Sequence, residues 1–151
     1  MSYGNVTSTG WLGEMRVMNV EIEPQTDVIN WTEDIPIENF NSAVQYLALL
    51  TTRNKAMEIA DRLKDFDYVR YQPPGLILMA AGLIPLQPTA KTVQNALRAI
   101  NSKDPIPYPL LVQSRRGERT HIVSGYDVIS AVHFVNPERN IPCVIAPWDY
   151  E

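Results

Sequence analysis

The side chains that could act as a nucleophile, an acid or a base are Cys143 and the two histidines, His121 and His133. A cysteine becomes nucleophilic when a basic neighbour lowers its pKa, but Cys143 lies between Pro142 and Val144 in an apolar run. That position is typical of an inert, buried thiol. Neither histidine has a carboxylate partner or a second metal ligand at motif spacing. We therefore expect no catalytic residue and no metal site.

The compact basic cluster of the chain consists of Arg115, Arg116 and Arg119, which surround a glycine at a predicted hairpin tip. Guanidinium groups bind phosphate and carboxylate groups through paired hydrogen bonds, so the cluster is a candidate site for phosphate or for an acidic partner. A solvated hairpin tip is the alternative interpretation. The acidic residues between Glu58 and Asp67 lack the loop spacing and the glycine of a calcium site, and we interpret them as helix surface.

Large aromatic side chains occur in segments with little regular pattern of their own. They are Trp11, Trp31, Trp148 and Tyr150. Aromatic residues in such segments either cover the edge of a core or contact another chain. These four residues are therefore candidates for binding a protein partner, and covering the core is the alternative role.

Hydrophobic periodicity predicts the elements that would position these residues. Apolar stripes predict a helix from Glu38 and a second helix, capped by Thr51 or Thr52, that ends near Asp65, and the two form a helical hairpin. Further helices are predicted at 75–81, where the helix is expected to be buried, after a cap at Thr89, and at 126–135. Strands are predicted at 15–22, 110–113, 120–123 and 141–146.

Composition limits the class of protein. The 151 residues are 45% hydrophobic and 20% charged, which favours one folded domain. A formal charge of −4 gives no general attraction to a phosphate backbone, so binding of nucleic acid would need a local basic patch and is mildly disfavoured. The single cysteine excludes an internal disulfide framework and favours the cytoplasm. No apolar run reaches the length of a membrane span, and we expect no membrane association.

Several short motifs follow one another in the second half of the chain. Pro-Leu-Gln-Pro at 85–88 precedes a helix, Pro-Leu-Leu-Val at 109–112 precedes a hairpin, and a glycine-led turn and helix precede Ile-Pro-Cys-Val-Ile at 141–145. Their order resembles the ParB/sulfiredoxin-like superfamily, and it looks closest to uncharacterised ParB-like proteins over about 40–148. The resemblance implies an α/β (α+β) fold in which a small mixed sheet and its packed helices follow a helical hairpin and an N-terminal arm.

The turn at Gly125 is where this resemblance bears on function. The uncharacterised ParB-like proteins have a Gly-Tyr-His-Arg motif there, whereas this chain has Gly125-Tyr126-Asp127-Val128. The resemblance implies a phosphate site at this turn, because ParB-type proteins and sulfiredoxins use basic residues there to bind nucleotide or to transfer phosphate. A carboxylate repels phosphate, and valine offers it no hydrogen bond. An aspartate in the first turn also stabilises a helix through the helix dipole. We interpret the motif as degenerate, and any remaining phosphate site would use Gly125 and Tyr126 with the arginines of the nearby hairpin.

These observations favour a non-catalytic ParB-like binding protein that acts through a protein partner, through self-association or within an assembly such as a phage-like particle. The first alternative is a nucleotide-binding or nucleotide-hydrolysing enzyme with a remodelled phosphate site, and the second is a DNA-binding, partition-type accessory protein. We expect no cofactor in the main interpretation, with nucleotide as the ligand of the first alternative. We expect a location in the cytoplasm or in a phage-like particle.

The predicted organisation is one compact domain with four parts. They are an N-terminal arm at 1–12, a strand and helical segment at 13–83, a ParB-like core at 84–147 and a C-terminal tail at 148–151.

Overall fold

The computed structural model describes residues 29–114 and 119–148, which form a mixed α/β fold with five helices and two small sheets. The helices are Ile37–Leu47 (α1), Arg53–Lys64 (α2), Pro74–Ala81 (α3), Lys91–Ser102 (α4) and Tyr126–Val135 (α5). The strands are Trp31–Thr32 (β1), Val69–Gln72 (β2), Ile106–Pro107 (β3), Leu110–Ser114 (β4), Thr120–Ser124 (β5) and Ile141–Trp148 (β6). The predicted mixed α/β class is confirmed, whereas the strand predicted at 15–22 lies outside the described residues.

The larger sheet has four strands in the order β2, β6, β4, β5. The two central strands, β4 and β6, run parallel, and Leu111 of β4 lies opposite Ile145 of β6. The outer strands pair antiparallel to them, β2 with β6 and β5 with β4. The central strands are buried on both faces, which explains their continuous apolar sequence. The remaining strands, β1 and β3, form a separate parallel pair of two residues each.

The helical hairpin of α1 and α2 covers one face of this sheet. Phe40 and Leu47 of α1 and Ile59 and Leu63 of α2 pack in a cluster that includes Val112 of β4. Their spacing follows the helical repeat, so each helix turns one apolar stripe inward. Thr52 caps α2, since its side-chain oxygen accepts a hydrogen bond of 3.2 Å from the backbone N–H of Lys55.

Helices α3, α4 and α5 cover the opposite face. Ile77 of α3, Ile100 of α4 and Ile129 of α5 pack in a second cluster with Leu111 and Cys143 of the sheet. The fold therefore has three layers, with the sheet between two groups of helices.

The ends of two helices in this layer show which local residues determine where a helix begins or ends. Pro74 begins α3, and Gly82 ends it with φ of +69°, where Leu83 N–H donates to the Leu78 carbonyl in a Schellman motif. The predicted cap of α4 at Thr89 is wrong, because the N-cap is Ala90 and makes no side-chain hydrogen bond. A turn closed by Ala90 N–H and the Gln87 carbonyl contains Thr89, so the helix begins after it.

None of the helices in the described ranges combines the length and the apolar character needed to cross a bilayer.

Candidate functional site

The turn that opens α5 is built around the conformation of Gly125. This residue is the N-cap of α5 and has φ of +93°, in the left-handed region of backbone conformation that residues other than glycine rarely adopt. A Cβ atom at this position would lie 2.9 Å from both Cα and Cβ of Pro109. Pro109 cannot easily move away, because its carbonyl accepts a hydrogen bond of 3.0 Å from Val144 N–H in β6. Glycine is required here by backbone conformation and by close packing.

The first turn of α5 carries its own anion. Asp127 is half-buried there, and its Oδ1 accepts a hydrogen bond of 2.9 Å from the backbone N–H of Val128. Backbone N–H groups at a helix start are the donors that would bind a phosphate group. At this helix one such donor is occupied by a carboxylate, and the local charge is negative. The arrangement stabilises the helix and disfavours a second anion.

Two side chains of α5 form hydrogen bonds with the backbone of the segment at 84–86. The Tyr126 hydroxyl donates a hydrogen bond to the Ile84 carbonyl, and Ser130 Oγ accepts one of 2.9 Å from Leu86 N–H. Ser130 is fully buried, so its hydrogen bond satisfies a polar group inside the core. The side chain of Tyr126, which the sequence placed in a candidate phosphate site, therefore positions a neighbouring loop.

Arg119 and the Gly125 turn lie at opposite ends of β5. Arg119 precedes this strand and Gly125 follows it, so the intervening residues Thr120–Ser124 separate their backbones by roughly 20 Å of extended chain. Arg119 is exposed, and its backbone N–H donates to Ser114 Oγ at 3.0 Å, which closes the hairpin. The expectation that this hairpin lies beside the turn is therefore wrong for Arg119, while Arg115 and Arg116 lie outside the described residues.

Two of the four candidate partner-binding aromatics lie in the described residues. Trp148 is the last residue of β6, not part of a tail, and only 7% of its surface is exposed. Its ring lies 5.6 Å from that of His121, and its buried Nε1 has no hydrogen-bond partner within the described ranges. Trp31 is half-buried and meets Tyr108 edge to face at 6.3 Å.

Both residues cover core edges, and a further role in partner binding stays a prediction. The remaining candidates, Trp11 and Tyr150, lie outside the described ranges.

Cys143 is fully buried, and His121 and His133 are half-buried. Burial raises the pKa of Cys143 to about 12, so its thiol stays protonated at neutral pH. Burial lowers the pKa of His133, whose buried Nδ1 has no hydrogen-bond partner in the part of the chain that the structure describes. His121 Nδ1 lies 3.2 Å from the Tyr46 hydroxyl. The described residues contain no group of three potential metal ligands among His, Cys, Asp and Glu.

Exposed apolar side chains lie on α3 and in the segment directly after it, and sequence reasoning missed them. Leu76 is 51% exposed, Met79 75%, Leu83 40% and Ile84 76%, and we call these four residues the α3 ridge. The prediction of a buried helix at 75–81 holds for Ile77 and is wrong for this outer face. The signal was present in the sequence for two of these residues, because positions 76 and 79 share one side of α3, separate from the buried Ile77 and Leu78, whereas Leu83 and Ile84 follow the end of the helix at Gly82.

The α3 ridge adjoins the turn of α5, since the carbonyl of Ile84 accepts the Tyr126 hydrogen bond. The two features that the sequence and the structure single out thus lie side by side.

Comparisons of the chain with protein-family models, with curated proteins and with solved structures found no match in any of the three.

Proposed function

We propose that this chain is a ParB-like binding protein without catalytic activity, and that it acts by docking the α3 ridge against a protein partner. The observation that carries this proposal is the exposure of four large apolar side chains within nine positions of one another, from 76 to 84. Several exposed large apolar side chains close together in the sequence of a folded protein mark a candidate interaction site. Burying these side chains in a contact would be favourable by about 25 cal/mol for each Å² removed from water.

The order of the elements supports the ParB-like part of the proposal. The strand pair β4 and β5, the helix α5 and the returning strand β6 follow one another, with β6 parallel to β4. Two of the motifs that suggested the resemblance lie on these elements, at 109–112 where β4 begins and at 141–145 in β6, and the glycine-led turn opens α5. This agreement concerns the arrangement of secondary structure, and fold alone does not determine activity.

The chemistry of the turn supports a function without phosphate transfer. Asp127 occupies the first turn of α5, where a basic residue would be needed to bind phosphate. The exposed Arg119 is too distant to replace that residue, because the extended strand β5 lies between them. The thiol of Cys143 is buried and protonated. These groups therefore favour binding over catalysis.

Nucleotide binding is the alternative, and one observation favours it. A glycine with positive φ directly before a helix allows close approach of a phosphate group to the backbone N–H groups of that helix. In this chain the space that a Cβ of Gly125 would fill is already in contact with Pro109. We therefore rank the alternative below docking of a protein.

Site-specific photo-crosslinking tests the role of the α3 ridge. A photoreactive amino acid replaces Met79, and the matched control carries it at Lys91, an exposed residue at the start of α4. We expect a discrete product from position 79, either with a second copy in the purified protein or with another protein in an extract of the source cells. Excess unlabelled protein should compete this product away, and excess Met79→Glu should not.

Equal products from positions 79 and 91, or equal competition by Met79→Glu, would contradict docking through the ridge. A product in the purified protein identifies the partner as a second copy of this chain.

A further inference from the structure

A groove of about 280 Å³ runs between α1 and α2 on the outer side of the helical hairpin. Its apolar lining consists of Phe40 and Val44 from α1 with Met57 and Ala60 from α2. Phe40 and Ala60 are buried, whereas Met57 is about half exposed. The groove lies on the other face of the sheet from the α3 ridge, because the two helices of the hairpin belong to the opposite core cluster.

Basic side chains stand at both ends of this groove. Arg53 and Lys64 line it and are the first and last residues of the 12-residue helix α2, so they lie roughly 16 Å apart along its axis. Lys64 Nζ lies 5.7 Å from the centre of the Phe40 ring. One acidic residue, Asp61, also lines the groove, with its Oδ1 3.8 Å from Lys64 Nζ.

The charge of α2 contrasts with that of the whole chain. The helix contains four basic and two acidic residues, whereas the protein has a formal charge of −4. The groove itself is lined by two cations, Arg53 and Lys64, and one carboxylate, Asp61, and this excess of positive charge selects partners by electrostatic complementarity. An apolar surface with carboxylates at its two ends would match both the lining and the ends of the groove.

We infer that the α1–α2 groove binds an acidic amphipathic helix of a protein partner. Apolar residues of that helix would cover Val44 and Met57, while its carboxylates would pair with Arg53 and Lys64. Binding of an amphipathic helix in an apolar groove is a common mode of peptide recognition. The inference goes beyond the α3 ridge and does not depend on it, and together the two surfaces would let the protein bridge partners on opposite faces.

Fluorescence anisotropy with synthetic peptides tests the groove. The probe is an amphipathic helical peptide of about fifteen residues, long enough to span the distance between the two cations, with glutamates near both ends. The matched probe has the same apolar residues and lysines in place of the glutamates. We expect the acidic peptide to bind more tightly than the basic one, and its binding to weaken as salt is added.

Substitutions in the groove should change its affinity for the acidic peptide in opposite directions. Reversing both cations, Arg53→Glu with Lys64→Glu, should weaken binding of the acidic peptide by about tenfold, since it exchanges two attractions for two repulsions. Asp61→Asn should tighten binding, because it removes the carboxylate that competes for Lys64. All three residues are exposed, and circular dichroism will verify that the variants fold. The control is Lys91→Glu, on the other face, which should leave binding unchanged.

The inference is overturned if the two peptides bind equally, if Asp61→Asn does not tighten binding, or if the double reversal leaves the affinity unchanged. Displacement of the acidic peptide by decanoate, at concentrations below its micelle-forming range, would reassign the groove to a small amphiphilic anion and would also overturn it. The Met79→Glu variant separates this result from the proposed function: it disrupts the α3 ridge and should leave peptide binding intact.

Discussion

Replacing Gly125 by alanine should destabilise the protein far more than the same replacement at Gly82. Both glycines have positive φ, +93° at Gly125 and +69° at Gly82. A new Cβ at Gly125 would lie 2.9 Å from Cα and Cβ of Pro109, whereas at Gly82 it would meet nothing within 4 Å. The pair of variants therefore separates the cost of backbone conformation from the cost of steric overlap.

The magnitudes follow from these two contributions. Placing alanine in the left-handed region costs about 1 to 2 kcal/mol of folding free energy at either position. Steric overlap in a packed region adds about 1 to 3 kcal/mol at Gly125 alone. The loss of backbone entropy in the unfolded chain is common to both variants and cancels in their difference. Gly125→Ala should thus cost about 2 to 5 kcal/mol, a large part of the roughly 5 to 15 kcal/mol typical of a native protein.

Urea unfolding followed by tryptophan fluorescence measures both variants. With a denaturant slope of about 2 kcal/mol per molar, the midpoint of Gly125→Ala should lie about 1 M below that of Gly82→Ala. Equal midpoints would contradict the close packing of Gly125 against Pro109, because they would show that Pro109 moves aside without cost. Equal midpoints would also remove the steric argument against a ligand beside Gly125.

Three further predictions concern buried and exposed groups. The pKa of Cys143 rises from 9.0 to about 12 on folding, so its contribution to stability is complete below pH 9 and is lost as the pH rises towards 12. Unfolding measured across this range should show a smaller alkaline loss in Cys143→Ala than in the unmodified protein, and equal losses would contradict the burial of the thiol. The pKa of His133 is lowered on folding, so stability depends on pH in the opposite direction. The contribution of His133 to stability is present above pH 6.5 and is lost as the pH falls through the folded-state pKa. A titration by nuclear magnetic resonance should place this pKa below 6.5, and a value at or above 6.5 would contradict the structure. Finally, Ile77→Ala should cost about 2 to 5 kcal/mol, since Ile77 is buried, whereas Met79→Glu should change stability by less than about 0.5 kcal/mol in urea unfolding. Comparable losses in these two variants would show that the α3 ridge is not exposed.

Strong hydrophobic periodicity made most elements predictable from the sequence. Helix α4 has apolar residues at helical spacing, and Val93, Ala96 and Ile100 are buried as that spacing requires. The strands β4, β5 and β6 also lie where apolar runs and turn residues placed them. The presence of a capping side chain predicted the start of a helix less reliably. Thr89 does not cap α4, because the turn that contains Thr89 determines where this helix begins.

The properties of the candidate site depended on packing between distant segments. Sequence reasoning identified Gly125 as the start of a helix, but its contact with Pro109 joins two elements that the sequence alone does not place together. The separation of Arg119 from Gly125 arises from the extended conformation of β5. The α1–α2 groove required two helices to be packed side by side, and its charged ends appear only in that arrangement.

Calorimetric titration with CTP, ATP and GTP, each with magnesium, tests most directly whether this protein binds partners instead of handling phosphate. The titration is made on the unmodified protein and on Arg116→Ala and Asp127→Asn. We expect no binding in the micromolar range by the unmodified protein, because the Asp127 carboxylate already accepts a hydrogen bond from a backbone N–H in the first turn of α5. Micromolar binding of any of the three nucleotides, lost in Arg116→Ala, would contradict the proposed function and establish a phosphate site.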